Sequence, residues 1–244
     1  MIPIHDDNPT TIRPVVTVGL IAINALVFLW QLTLTPDQQE MAIYAFGMIP
    51  AVLLHDVAIP PEIGAAPAEL TVLTSMFMHG GWMHLLGNML YLWIFGNNVE
   101  DGCGHGRFIL FYLACGVAAA LTQAFQDPSS TVPMVGASGA IGGVLGAYLL
   151  LHPRARVLVL IPILFYMHAA RIPAVLVLGL WFVIQFISSA ATPAGEGGVA
   201  YWAHVGGFVA GMVLILFVRR RGVPLFERGS RAMPPPMRRR GPWG

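Results

Sequence analysis

Residues 132–153 read VPMVGASGAIGGVLGAYLLLHP, and the fold turns on how Ser138 within them is understood. In Gly136-Ala137-Ser138-Gly139 the serine has the local look of a nucleophile on the strand-to-helix turn of a soluble hydrolase. Yet the chain stays apolar from Ala140 to Leu151, with small residues recurring every three or four positions. A hydroxyl at the head of such a run belongs equally to the first turn of a helix lying in hydrocarbon, and the rest of the chain decides between the two.

Composition favours hydrocarbon. The 244 residues are 56% hydrophobic and only 10% charged, with a mean hydropathy of +0.70; a soluble domain carries about 25% charge. Six apolar stretches approach the roughly 17–25 helical residues needed to cross a bilayer: about 14–34, 80–97, 106–125, 136–152, 172–190 and 200–219. The chain therefore reads as an all-α integral membrane protein, a six-transmembrane-helix bundle over 14–219, with a cytoplasmic N-terminal segment at 1–13 and a disordered, basic, proline-rich cytoplasmic tail at 220–244. The first stretch is too long for a signal-peptide core and follows Asp6 and Asp7, so it is expected to be a retained helix. Within the long loop 35–79, YAFGMIPAVLLHD suggests a short interfacial helix. The run 157–167, broken by Pro162, is too short to cross and is expected to lie in the interface or fold back.

Charge placement sets an orientation. The chain has no lysine; its 13 arginines are Arg13, Arg107, Arg154, Arg156, Arg171 and eight from Arg219 onward. With a cytoplasmic N-terminus and six spans, every one lies inside, whereas the outer loops hold only acidic charges. Both termini are then cytoplasmic, in a bacterial-type plasma (inner) membrane. The basic tail serves as a topology signal or an anchor to anionic lipid. No folded basic domain exists to bind nucleic acid. Cys103 and Cys115 are too few for a disulfide framework and carry no assigned role.

Polar side chains inside spans are costly and mark candidate sites. Span two opens HGGWMHLLGNMLYLW, with His79, His84 and Asn88; span four carries Ser138; span six contains His204. All fall in the outer half on this orientation. His84 and Asn88 are four apart and share a face. Ser138, Gly142 and Gly146 share one face of span four, as do His204, Gly207 and Gly211 on span six. Small residues let membrane helices approach closely, so the two grooves suit a pair of helices with Ser138 facing His204. A neutral imidazole within about 2.6–3.2 Å can take the serine proton. Without an acidic residue in spans four or six, this is a dyad. The amide of Asn88, an N–H of His84 and the backbone N–H of Ser138 are the available oxyanion donors. Each residue also has a plainer role: a helix cap for Ser138, interhelical hydrogen bonding for Asn88, a proton relay for His204, structure for His79 and packing for the glycines. What separates the two accounts is that nucleophile, base and donor pair occur on three helices at one depth.

Over about residues 70–212 the sequence resembles the rhomboid family of intramembrane serine proteases. HGGWMHLLGNM is similar to the family's H-x-x-x-N segment, GASGAIGG to its G-x-S-G motif, AHVGGFVAG to its A-H-x-x-G motif and GNNVEDGCGHGRF to its G-x-x-x-E-D segment. The resemblance implies the minimal six-helix bacterial form, with Ser138 as nucleophile, His204 as base, and His84, Asn88 and the Ser138 N–H as oxyanion hole. His79, Gly136, Gly139, Gly142 and Gly207 support them. It implies a water-filled site opening outward, single-span transmembrane substrates cut near their outer ends, and neither cofactor nor metal. Oligomeric state is left open. Two departures stand out. Some members place an aromatic residue four positions after the serine, stacked on the histidine, where this chain has Gly142; and the arginine common after Glu100-Asp101 is replaced by Gly102 or Cys103.

The rival readings are an inactive rhomboid-like factor that binds or escorts membrane proteins, a transporter, and a metalloprotease. The metalloprotease lacks its motif, since His79 and His84 are five apart with no H-E-x-x-H. The transporter lacks the internal repeat its class often shows. The inactive factor would be favoured by loss of Ser138 or His204, and both are present.

Overall fold

The structure is a computed structural model that describes residues 1–227 apart from 56, 65, 164–165 and 192–197. In chain order it contains β1 (Ile2–Asp6), α1 (Val15–Leu32), α2 (Pro36–Phe46), α3 (Pro50–His55), α4 (Ala68–Thr74), α5 (Trp82–Cys103), α6 (His105–Gln126), α7 (Ser138–Leu151), β2 (Arg156–Ile163), β3 (Tyr166–Pro173), α8 (Ala174–Ala191) and α9 (Tyr201–Val218), with 3-10 turns at Pro61–Ile63 and Ser75–Phe77. The fold is mostly helical. Among the described residues four helices, α1, α6, α8 and α9, are long and apolar enough to cross a membrane.

The other two expected spans depart from that criterion for different reasons. α5 is 22 residues long, but its second half carries Asn97, Asn98, Glu100 and Asp101. α7 has only 14 residues, about 21 Å at 1.5 Å per residue, against a hydrocarbon core of about 30 Å. Eleven of its residues are buried, so α7 is walled by protein, whereas the longer helices leave apolar faces exposed. The exposed apolar faces of α1 and α8, which include Leu26, Leu29, Leu176, Leu180 and Ile187, form the outer surface.

Glycines set the central contact. A Cβ on Gly142 would stand 2.9 Å from the His204 carbonyl, and one on Gly207 would strike the Gly139 carbonyl. α7 and α9 therefore touch backbone to backbone, the approach that small residues permit. Around them lies one core containing Phe95, Phe108, Phe111, Tyr112, Tyr148 and Phe208. Cys103 and Cys115 are free and buried in it.

Three strands were not anticipated. The run expected to lie in the interface or fold back does turn back, as the β2–β3 hairpin, and β1 completes an antiparallel sheet in the order β1-β2-β3. Alternation explains it: Val157 and Val159 are fully buried, while Arg156 is exposed and Leu158 and Leu160 are only half-buried. Pro162 is tolerated because β1 pairs only with residues 157–160 of β2, so no β1 acceptor faces the missing N–H. YAFGMIPAVLLHD holds the end of α2 and then α3, interrupted at Gly47.

The arginine missing after Glu100-Asp101 is supplied from elsewhere in the chain. Arg220 Nη2 lies 2.5 Å from Asp101 Oδ1, and Thr11 Oγ1 donates to the same carboxyl at 2.7 Å. Glu100, fully buried, accepts from the N–H groups of Val16 and Thr17 at the start of α1, from Thr17 Oγ1 and from His105 Nδ1. The tail expected to be disordered from residue 220 thus begins with a docked stretch: Phe226 and Glu227 donate their N–H groups to the Leu150 and Leu151 carbonyls. Residues 228–244, the remainder of that expectation, lie outside the described residues.

Candidate active site

Ser138 opens α7, where the first N–H groups of a helix have no intrahelical acceptor. Its Oγ lies 2.7 Å from His204 Nε2, in the first turn of α9. On the far side of the imidazole, Nδ1 lies 2.7 Å from Gln185 Oε1 on α8. An amide oxygen accepts only, so Nδ1 carries the proton and Nε2 is free to receive the serine O–H. Trp181, one turn before Gln185, covers the ring at a centroid distance of 5.8 Å and 33°, and Tyr201 meets it edge-on at 6.4 Å. The aromatic residue absent at Gly142 is thus provided by α8, and Gly142 leaves room for the His204 backbone.

The donors come from α5. His84 and Asn88 flank Gly136, whose φ of +122° suits glycine; a Cβ there would stand 2.5 Å from His84 Nε2. The Gly136 N–H donates to the Ser75 carbonyl at 2.8 Å, fixing the turn that leads into Ser138. Gly80 N–H donates to His84 Nδ1 at 3.4 Å, which leaves the proton on Nε2, toward Gly136. Asn88 Nδ2 donates to His79 Nε2 at 3.0 Å, and His79 Nδ1 faces the Phe77 carbonyl at 3.3 Å. The His79 backbone is clamped from both sides by Gln31 of α1, through Nε2 to its carbonyl at 3.0 Å and from its N–H to Oε1 at 3.1 Å. Gly139 packs against Ala119 of α6, and Gly207 against Gly139.

These residues share a cavity of about 580 Å³ lined by His84, Asn88, Ser138, Trp181 and His204 among others. It therefore brings together a serine hydroxyl, an imidazole within hydrogen-bond distance of it and N–H groups at a helix start, the kinds of group an acyl-transfer site requires. Among the described residues no three His, Cys, Asp or Glu side chains gather as metal ligands would. Polarity within apolar spans and residue spacing pointed to Ser138, His204, His84 and Asn88, which line this cavity, and polarity alone to His79, read as structural, which braces Asn88. Gln185, Trp181 and Gln31 were missed, although a lone glutamine in an apolar helix is itself a signal.

Fold and site define a multi-pass helical membrane protein with a serine–histidine pair inside it. A rhomboid-domain family model matches residues 68–221, and the chain belongs to the rhomboid family. It is 45% identical over 78 residues to rhomboid protease GluP of Bacillus subtilis, covering 32% of this chain and 15% of that protein. It is 32% identical over 114 residues to the putative rhomboid protease YdcA of the same organism, covering 45% and 57%. With rhomboid protein 1, mitochondrial, of Saccharomyces cerevisiae it shares 29% identity over 155 residues, 60% and 41%. The match spans about half or less of the length of the yeast relative and of an Arabidopsis thaliana chloroplast relative.

Proposed function

We propose that the chain is an intramembrane serine endopeptidase that hydrolyses peptide bonds of single-span transmembrane proteins near the outer membrane face. The observation that carries this is the 2.7 Å contact between Ser138 Oγ and His204 Nε2 inside a cavity flanked by Asn88 and His84. In this reading six helices span the membrane: α5 crosses with its polar half at the inner end, and the short α7 crosses shielded by its neighbours. Both termini are cytoplasmic, as the arginine distribution favours, and the membrane is a bacterial-type plasma membrane.

Catalysis follows from the geometry. As Ser138 Oγ attacks the scissile carbonyl carbon, its proton passes to His204 Nε2. The oxyanion that forms is held by the Asn88 amide, His84 Nε2–H and the Ser138 N–H. The His204 proton is then given to the leaving amine as the C–N bond breaks. Water, activated by the same imidazole, releases the acyl group and regenerates Ser138.

The test uses the purified full chain in detergent. Its substrate is a single-span reporter with glycine and proline near the outer end of its transmembrane segment, and a fluorophosphonate reports on the serine. Wild type is expected to cleave the reporter and to be labelled at Ser138. Ser138→Ala and His204→Ala are expected to lose cleavage, and Ser138→Ala to lose the label. Wild-type labelling and cleavage no better than Ser138→Ala would sink the proposal and leave a binding or escort role.

A further inference from the structure

His204 works as a base only with its proton on Nδ1 and its Nε2 lone pair aimed at Ser138, and nothing on α7 or its own helix fixes that state. Among the groups near the ring, His84 on α5 and Tyr201 on α9 are titratable, but neither is hydrogen-bonded to Nδ1. Gln185 is: its Oε1 accepts at 2.7 Å on the side opposite Ser138. Trp181 and Gln185 are four residues apart, so they present one face of α8 to the imidazole, one covering the ring and the other holding its edge.

We propose that Gln185 is the positioning residue of the Ser138–His204 pair, fixing the tautomer and rotation of the imidazole through its amide oxygen. The inference rests on the protease reading above and adds a third group on a different helix from nucleophile and donors. It has a mechanical corollary. α8 buries Ala174, Val177 and Leu178 at its start and Ser189 near its end, and exposes Leu180, Val183, Ile184, Phe186 and Ile187 between them. Around the site it stacks Phe182 on Phe208 at 4.6 Å, sets Trp181 against Phe208 at 6.1 Å and Phe186 edge-on to Trp202 at 6.2 Å, and makes the two contacts to His204. Base orientation therefore follows the seating of α8: when that helix is displaced, His204 loses its Nδ1 acceptor while Ser138, Asn88 and His84 stay in place.

The experiment compares wild type, Gln185→Met and Gln185→Glu by the rate of fluorophosphonate labelling, by kcat and KM on the same reporter, and by the thermal midpoint. Methionine fills nearly the same volume but accepts no useful hydrogen bond. It is expected to slow labelling and kcat by about 10- to 100-fold, part of the roughly 10⁴-fold that a wrong tautomer costs in soluble triads, with KM nearly unchanged. Glutamate keeps an acceptor at the same reach and is expected to stay within about threefold of wild type. A packing role predicts the opposite order, with methionine tolerated and a partly buried carboxylate disruptive. Methionine at the wild-type rate, or glutamate falling as far as methionine, overturns the proposal. If methionine lowers the midpoint, Gln185→Asn, which withdraws the acceptor by one methylene, takes its place with the same expectation. Labelling of wild type no better than Ser138→Ala is the separate result that removes the protease reading itself.

Discussion

Asn88 is held from behind. One of its amide hydrogens goes to His79 Nε2, whose other nitrogen faces the Phe77 carbonyl and whose backbone is clasped by Gln31. The remaining N–H is left for the cavity, preorganised before any substrate arrives. Removing one such donor costs about 10²–10³ in kcat in serine hydrolases. Asn88→Ala is expected to lower kcat by about that factor with little change in KM, measured on the single-span reporter; a KM effect with kcat intact would assign Asn88 to binding. At this scale the site was legible wherever two informative residues share a helix or a motif. His84 and Asn88 lie four apart, and Ser138 and His204 each head a glycine face. Gln185 has its partner on another helix, so nothing in its own segment announces that contact; Gln31 shares a buried face of α1 with Thr17 and Asn24 at seven-residue spacing, a pattern that marks a polar stripe without naming its partner.

Among the elements, the α7–α9 pair carries the geometry, because the Ser138–His204 distance is fixed by how closely two backbones approach. A methyl at Gly207 would strike the Gly139 carbonyl, a backbone atom with no rotamer to yield. Gly207→Ala is expected to cost about 1–3 kcal/mol as overpacking and to abolish labelling of Ser138 by pushing His204 away. Thermal melts and fluorophosphonate kinetics on the same sample check it, and full activity would show that the helices can part without loss. Helix positions were readable from apolar run length: α1, α7 and α9 fall within the stretches marked, α6 overruns its stretch by a residue at each end and α8 by one at its C-terminal end, and α5 continues six residues past its stretch, through its polar second half to Cys103. The sheet was not, for a physical reason. Val157–Ile161 is a short apolar run compatible with helix or strand, and its partners lie at residues 2–6 and 166–173, the first of them more than 150 positions away. Only the fold brings them together.

Across the whole molecule, α5 links two differently built ends. From His84 to Glu100 it runs about 24 Å at 1.5 Å per residue. At one end is the polar cavity; at the other is a knot of Glu100, Asp101, Arg220 and the sheet. Within that knot Tyr148 Oη donates to Asp6 Oδ2 at 2.6 Å, joining β1 to α7. Burial pushes the Asp6 carboxyl above its ordinary value of 3.8, more than the Tyr148 hydrogen bond lowers it. With a folded pKa above the unfolded one, Asp6 costs stability where it must be ionised, at neutral pH, and that cost disappears as pH falls through the raised value. Asp6→Asn keeps an acceptor for Tyr148 and is expected to melt at or above the wild-type temperature at pH 7, with the advantage shrinking toward pH 3.8. A lower melting temperature at neutral pH would show that the carboxylate itself is needed.

The burial of both native thiols has a practical consequence. Cys103 is 1% exposed and Cys115 fully enclosed, so maleimide or nitroxide reagents will pass them by in the folded protein. A spin label can therefore be placed at an exposed apolar position such as Leu180 without first removing any native cysteine, and paired with a second label on α5 to test directly, in nanodiscs, whether α8 is displaced.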